Sequence, residues 1–223
     1  PISWEALYTQ VRAGQSIGIA GIPWWTSDIG GFHGGDASDP AYQELFARWF
    51  EFGTFCPLMR VHGHREPRED VASDNPGGPN EIWSYGEEVA QICARYIHLR
   101  EALRPYIGRV MDEAAERGIP PMRALFLEFP EDPRAWEEEG EFLLGPDLLV
   151  APIVEAGARS ARVYLPAGVR WQQLLIAGGE EGEKAGTASY TLGDVFEGGQ
   201  EVTIDAPLEC IPLFVRENTE LGS

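Results

Sequence analysis

Residues 21–35, GIPWWTSDIGGFHGG, place one carboxylate among large aromatic side chains and five glycines. Asp28 follows Trp25 by three residues and precedes Phe32 by four. Aromatic rings can cover the apolar C–H face of a pyranose, and a carboxylate accepts hydrogen bonds from its hydroxyls, each worth about 1.5–3 kcal/mol. Glycines also let a backbone approach a ligand closely. The pattern favours a sugar-binding loop, but an Asx-turn beside core tryptophans would explain the same residues.

A second polar stretch, RVHGHREPRE, carries Arg60, His62 and His64. Histidines at i and i+2 are a possible metal pair, but no third ligand stands at a suitable spacing, so we expect no metal. A histidine that donates to a substrate hydroxyl fits the stretch better, and a histidine held structurally by a carboxylate fits it nearly as well. The chain has no P-loop, and GIAGIP lacks the glycine spacing of a dinucleotide-binding loop, so we expect no cofactor.

A retaining glycosidase needs two carboxylates about 5–5.5 Å apart. Asp28 is the only acidic residue that follows a predicted strand in an aromatic setting. Glu128 and Asp132 stand near a predicted domain boundary, and the run Glu137–Glu139 is typical of a solvated face. The residues alone therefore indicate half of a sugar site and no complete catalytic pair.

The composition excludes some partners. Seventeen basic residues against 36 acidic ones give a net charge of −19, so we expect no nucleic-acid partner. No apolar run is long enough to span a bilayer, so we expect no membrane partner either. An acidic surface fits neutral or cationic ligands and does not choose among them; the sugar-binding interpretation of the Asp28 loop predicts a small-molecule or oligosaccharide substrate. Nothing in the sequence indicates the oligomeric state.

Cys56, Cys93 and Cys210 form neither a metal spacing nor a disulfide framework, which suits a reducing compartment or cysteines without a specific role. No signal peptide opens the chain, and we therefore expect a cytoplasmic location. The chain also starts without Met, directly in a predicted helix. We accordingly expect a piece of a longer protein.

The first half alternates helices and strands. Ser3 is a predicted helix N-cap with Gly14 as the stop, and Asp39 with Pro40 begins a second helix that ends at Gly53. A third helix begins at a Ser84–Glu87 capping box, is kinked by Pro105 and ends at RGIPP. Between the helices we predict two short strands, 16–25 and 54–63, each followed by a polar loop.

Beyond Pro120 the sequence consists of short β-rich runs separated by Gly, Pro and acidic turns, as in an antiparallel β-sandwich. The runs are MRALFLEF, FLLGPDLLVAPIV, ARVYLPAG, ASYTL, QEVTIDA and LECIPLFVR. The shift in composition places a boundary near residues 118–130. The predicted fold is therefore α/β plus all-β: the C-terminal part of a (β/α)8 TIM barrel followed by a sandwich. A whole barrel needs about 250 residues, and its ligand-binding residues lie on the loops after the strands.

The motifs WEALYTQVRAGQSIGIAGIPWWTSDIGGF, ELFARWFEFGTFCPLMRVHGHREP, FLLGPDLLVAPI, VYLPAG and PLFVR resemble glycoside hydrolase family 31 in family order. The resemblance covers roughly residues 3–216. It implies that residues 1–118 are an incomplete C-terminal portion of the catalytic barrel and that residues 119–223 are the proximal C-terminal sandwich. It also implies a retaining α-glycosidase without a cofactor, with α-glucosidase as the first choice and α-xylosidase as the second.

Residue by residue, Asp28 and Phe32 match positions that line the family's −1 subsite, and His62 matches a histidine that contacts the bound sugar. Trp25 matches an aromatic position of the family's barrel strand that leads into the Asp28 loop. The resemblance implies that Asp28 is a binding carboxylate, since the family's nucleophile lies on an earlier barrel strand and its acid/base aspartate would be expected just upstream of Pro1. We therefore expect no catalytic residue in this chain and no activity from it alone. The alternatives are a non-catalytic carbohydrate-binding protein on the same scaffold and, last, a structural sandwich with a helical neck.

Overall fold

The computed structural model describes residues 2–66, 77–177 and 190–221. Part of the second polar loop (67–76) and the first two residues of ASYTL lie outside the described residues. Four helices with two short strands are followed by eight further strands. The helices are α1 (Trp4–Ile19), α2 (Pro40–Thr54), α3 (Glu87–Ala102) and α4 (Arg104–Arg117), and β1 (His33–Asp36) and β2 (His64–Glu66) are the short strands.

Helix α1 begins as predicted but ends later. The Ser3 side chain accepts the Ala6 N–H at 3.0 Å, which confirms the N-cap. The stop at Gly14 is wrong, because α1 continues to Ile19. Gly14 serves close packing instead: a Cβ atom there would lie 2.5 Å from Met122 Sδ and 2.6 Å from Trp25 Nε1.

Neither predicted strand of the first half forms as expected. Residues 16–19 are the last turn of α1, and Thr54 is the last residue of α2. Among the described residues the two segments are joined by the Leu58 N–H, which donates to the Trp25 carbonyl at 3.0 Å. Just beyond the first segment, Ile29 forms a parallel bridge with Val61. Regular strands begin only afterwards, where β1 and β2 pair in parallel. The ladder is short: on the far side of β2, Arg65 makes one antiparallel bridge to Gly78, whose N–H donates to the Arg65 carbonyl at 2.8 Å.

The other helix ends follow the sequence with one exception. Asp39 caps α2 by accepting the Ala41 N–H at 3.0 Å, and Pro105 lies in the first turn of α4, beyond a break at Leu103. Gly118 ends α4 in the left-handed conformation. The Ser84–Glu87 capping box is wrong: Ser84 lies in a 3-10 turn, and Gly86 (φ +86°) stands at the N-cap of α3 without a side-chain cap.

The second half forms two antiparallel sheets, which confirms the predicted sandwich. Six strands are ordered β3-β4-β5-β10-β7-β8, and β6 pairs with β9 in the second sheet. Apolar side chains of both sheets form one buried cluster. MRALFLEF contributes only a two-residue strand, and β7 was missed because two glutamines interrupt its apolar pattern. The strands are β3 (Met122–Arg123), β4 (Phe142–Leu144), β5 (Leu148–Val150), β6 (Ser160–Leu165), β7 (Arg170–Ile176), β8 (Tyr190–Glu197), β9 (Gln200–Asp205) and β10 (Leu213–Arg216).

A second buried cluster joins the two halves. It contains the apolar faces of α1–α4 together with side chains of the six-stranded sheet such as Leu144 and Leu213. Arg48 of α2 crosses the same junction and donates to the carbonyl oxygens of Ala206 at 2.7 Å and Cys210 at 2.9 Å. The two halves therefore share a core, and the limits 1–118 and 119–223 stay a prediction. No helix in the described ranges is long and apolar enough to cross a membrane.

Candidate functional site

The two polar loops predicted from the sequence lie side by side. The Ile29 N–H donates to the Arg60 carbonyl at 3.1 Å, and the His64 N–H donates to the Phe32 carbonyl at 2.7 Å. The pairing of β1 with β2 then continues in the same direction. Residues 28–33 and 60–64 thus form one edge, called here the loop edge, which brings Asp28, Phe32 and His62 onto neighbouring segments.

Asp28 is oriented by Arg60. The Nε and Nη2 atoms of Arg60 donate to Asp28 Oδ1 at 3.0 and 2.5 Å, and Oδ2 receives neither bond. The Asp28 side chain is 19% exposed and the Arg60 side chain 57% exposed. An ion pair this accessible stabilises the fold little. Its consequence is geometric: the carboxylate is fixed at one oxygen and partly accessible.

Phe32 and His62 stand at the same edge. Their ring centroids are 5.4 Å apart, and the Phe32 ring meets His33 at 4.3 Å and His64 at 5.7 Å, both edge-on. Phe32 and His62 are exposed. An exposed aromatic ring beside imidazoles and an oriented carboxylate offers both apolar and hydrogen-bonding contacts to a ligand.

The two tryptophans differ in their surroundings. Trp25 is half-buried, packs against the core and approaches Gly14 of α1, whereas Trp24 is exposed. The Nε1 atom of Trp25 is buried and finds no hydrogen-bond partner among the described residues. A ligand contact by Trp25 stays a prediction.

Arg65, fully buried, supports the loop edge from within. Its Nη1 donates to the carbonyl of Gly31 at 2.9 Å, and its Nη2 donates to that of Ile29 at 3.1 Å. Its Nε donates to the Tyr85 hydroxyl at 2.7 Å and to Asn80 Oδ1 at 3.0 Å. One planar guanidinium therefore donates to two carbonyls of the glycine-rich loop, which fixes the path of that loop.

Helix α2 supports the same loop from another side. The Tyr42 hydroxyl donates to the Gly30 carbonyl at 2.9 Å, and the Trp49 Nε1–H donates to Ser27 Oγ at 2.9 Å. Burial raises the pKa of Tyr42 far above its usual value, with Tyr85 adding to the shift, so the hydroxyl remains a donor at every physiological pH. Buried Ile29 packs against Gly53, where a Cβ atom would lie 2.7 Å from its Cδ1.

Sequence reasoning missed these supporting residues. Arg65 stands in a charged run that is typical of a solvated loop, and its spacing does not indicate that its guanidinium is buried. Tyr42 lies on the apolar face of α2, and this position predicts a core residue rather than a hydrogen-bond donor to the loop.

Three histidines of the loop edge, His33, His62 and His64, surround the Phe32 ring. His33 and His64 stack at 5.4 Å between ring centroids. Within residues 2–66, 77–177 and 190–221, no group of three His, Cys, Asp or Glu side chains is arranged to hold a metal ion.

Two family models match this chain. Residues 2–109 match the glycosyl hydrolases family 31 TIM-barrel domain, and residues 118–219 match the glycosyl hydrolase family 31 C-terminal domain. The chain is 32% identical over 218 residues to an α-xylosidase of Saccharolobus solfataricus, covering 98% of this chain and 26% of the relative. It is 31% identical to α-glucosidase 2 of Bacillus thermoamyloliquefaciens, covering 98% of this chain and 24% of the relative. The chain thus spans about a quarter of these curated relatives.

Solved structures give the same result. A family 31 α-xylosidase from a soil metagenome, crystallised with xylose, superposes with a TM-score of 0.88 at 46% identity, covering 99% of this chain and 32% of that one. A family 31 dextranase of Flavobacterium johnsoniae, complexed with isomaltotriose, superposes with a TM-score of 0.79 at 37% identity, covering 97% of this chain and 23% of that one. These matches confirm the predicted barrel portion and C-terminal sandwich. The chain belongs to glycoside hydrolase family 31.

Proposed function

We propose that this chain is part of a retaining α-glycosidase that removes terminal α-linked xylose or glucose, and that the loop edge holds the sugar to be released. The observation that carries the proposal is the Asp28 carboxylate, oriented by Arg60 and placed on the same edge as Phe32 and His62. Relatives and structural neighbours named α-xylosidase and α-glucosidase support the substrate class.

Each residue has a positioning role in this proposal. Asp28 Oδ2 accepts a sugar hydroxyl, His62 bonds to another hydroxyl, and the Phe32 ring lies against the C–H face. Holding the ring in one orientation lowers the entropic cost of reaching the transition state. We place the nucleophile and the acid/base carboxylate upstream of Pro1, and we therefore expect the 223-residue chain alone to be inactive.

The test is to recover the coding sequence upstream of Pro1 and assay the extended protein. Release of p-nitrophenol from the α-xyloside or the α-glucoside would support the glycosidase, and the ratio of the two kcat/KM values would identify the preferred sugar. The β-anomers serve as matched controls and should stay intact. Absence of release from both α-glycosides by a folded protein would overturn the proposal and favour a carbohydrate-binding protein.

A further inference from the structure

A cleft lies between α1 and the segment that links β3 to β4. Its volume is about 360 Å³, and none of the loop-edge residues lines it. Its walls combine the aromatic rings of Phe126 and Trp136 with the polar side chains of Arg12, Glu138 and Glu139. The proposed function does not use this cleft.

Trp136 is the prominent feature of the cleft. Its side chain is large and apolar, yet the residue is 58% exposed. Its Nε1–H donates to the Pro130 carbonyl at 2.9 Å, and the Phe126 ring stacks on it at 4.4 Å with an interplanar angle of 10°. Both contacts hold the indole in one orientation before any ligand arrives, so binding to it costs little side-chain entropy.

The turn that carries Trp136 is itself well defined. Residues Pro133–Trp136 form a 3-10 turn, and the Asp132 side chain accepts the Arg134 N–H at 3.0 Å at its start. Asp132 Oδ2 also accepts the Tyr164 hydroxyl of β6 at 2.6 Å, which ties the turn to the second sheet. The exposed ring is therefore part of a rigid surface.

The polar groups of the cleft narrow the class of ligand. Arg12 Nε and Glu139 Oε2 pair at 2.8 Å, and both side chains are about half exposed, so their charges largely cancel. Glu138 adds a second carboxylate: its Oε1 accepts the Gly140 N–H at 3.1 Å, and its Oε2 lies 3.7 Å from Arg134 Nη2, which offsets its charge. A locally balanced set of donors and acceptors beside a flat apolar face suits a neutral polyhydroxylated ring better than an ion or a wholly apolar molecule.

We propose that this cleft is an accessory saccharide-binding site. One pyranose ring lies with its C–H face on the exposed face of Trp136, and its hydroxyls bond to Arg12, Glu138 and Glu139. The site takes no part in bond cleavage. It holds an oligosaccharide or polysaccharide chain on the protein surface, separate from the sugar at the loop edge.

The test uses the full-length protein in native gels that contain dextran or soluble starch. We expect retardation in at least one of the two gels. Trp136→Ala should raise the apparent dissociation constant about tenfold or more, which corresponds to the loss of one well-placed aromatic contact. Trp136→Tyr should keep the retardation because it keeps a flat ring. Leu127→Ala, an exposed apolar residue that does not line the cleft, is the matched control and should migrate like the wild type.

Two outcomes would overturn the accessory site. One is retardation that is unchanged in Trp136→Ala; the other is absence of retardation in both gels, as expected if the upstream segment covers Trp136. Aryl glycoside assays on the same variants separate this inference from the proposed function. Trp136→Ala should release p-nitrophenol at the wild-type rate. A protein that cleaves no glycoside but binds polysaccharide through Trp136 would refute the glycosidase and keep the accessory site.

Discussion

The loop edge and the six-stranded sheet satisfy their backbone groups in different ways. In the sheet, central strands pair on both sides: β7 pairs with β10 and β8, and β5 pairs with β4 and β10. At the loop edge, the described residues pair through one parallel bridge and the short strands β1 and β2. Side chains supply the missing donors there, and buried Arg65 alone donates to the carbonyls of Ile29, Gly31 and Gly34.

This difference has a physical consequence. A ladder spreads its stabilisation over many equivalent bonds, so one side chain changes the geometry of the sheet only slightly. A loop held by one guanidinium depends on that group for its shape. Substitutions beneath the loop edge should therefore change function and stability together, whereas comparable changes on the sheet surface should change neither.

Arg65→Leu should have the largest effect. It leaves several buried carbonyls without donors, and we expect the free energy of unfolding to fall by about 3–5 kcal/mol. Urea titration measures this loss. In the full-length protein, kcat/KM on the preferred aryl α-glycoside should fall by about 100-fold or more, because the loop that carries Asp28 loses its support. Arg65→Lys should recover only part of both quantities, since an ammonium lacks the planar fork.

Arg162→Ala is the control for the sandwich. The Arg162 side chain is 78% exposed and lies 3.7 Å from Glu201 across the β6–β9 pair. Its removal should change the free energy of unfolding by less than about 0.5 kcal/mol. Equal losses in the two arginine variants would contradict the comparison.

Asp28→Asn tests the loop edge without disturbing its support. The amide keeps the shape of the side chain but loses the charge that strengthens a bond to a sugar hydroxyl, worth about 1.5–3 kcal/mol. We expect kcat/KM of the full-length protein to fall roughly 10- to 150-fold, with the thermal midpoint nearly unchanged. Asp205→Asn, at an exposed position at the end of β9, should leave the kinetics unaltered. Wild-type kinetics in Asp28→Asn would remove Asp28 from the sugar site.

The buried Glu51 side chain, which pairs with Arg48 at the junction of the two halves, should make the free energy of unfolding depend on pH. Burial raises its pKa from the usual 4.5 to about 7, although Arg48 Nη1 donates to its Oε2 at 3.0 Å and opposes the shift. The folded state therefore binds a proton that the unfolded chain has already lost. This contribution to stability is complete below about pH 4.5 and is lost as the pH rises through about 7.

We expect the wild type to lose on the order of 3 kcal/mol of unfolding free energy from this group between pH 5 and pH 8. Glu51→Gln cannot titrate, so its unfolding free energy should fall less over the same interval. Urea titrations at the two pH values measure both slopes. Parallel slopes in the two proteins would refute the raised pKa of Glu51.

Gly→Ala replacements at two helical glycines should have small and opposite effects on stability. Replacement of glycine by alanine within a helix usually stabilises it by about 1 kcal/mol. A Cβ atom added at Gly108 in α4 would have no described heavy atom within 4 Å, so Gly108→Ala should stabilise the helix in this way. At Gly14 the new methyl group would collide with Met122 and the Trp25 indole, so Gly14→Ala should cost about 1–3 kcal/mol. Thermal unfolding of the two variants should therefore shift in opposite directions, and shifts of the same sign would count against the packing of α1.

Local patterns predicted those parts of the fold that depend on neighbouring residues. The Ser3 and Asp39 caps, the break near Pro105 and the strands β4–β6 and β9 follow from interactions within a few residues, and all are present. The strands 16–25 and 54–63 failed because their apolar residues fit a helix end or an extended connection equally well. The number of hydrogen-bonding neighbours, which sequence periodicity does not reveal, decided between these structures.

The sequence by itself determined the chemistry that the loop edge can offer, because Asp28, Phe32 and His62 could be identified from residue type and their place after predicted strands. It also determined the family, through motifs in a fixed order. Only the tertiary structure decided that Arg60 orients Asp28, that Arg65 lies buried beneath the loop and that Trp136 lies exposed over a cleft. These contacts join residues from separate elements, and their geometry depends on how helices and sheets pack rather than on spacing along the chain.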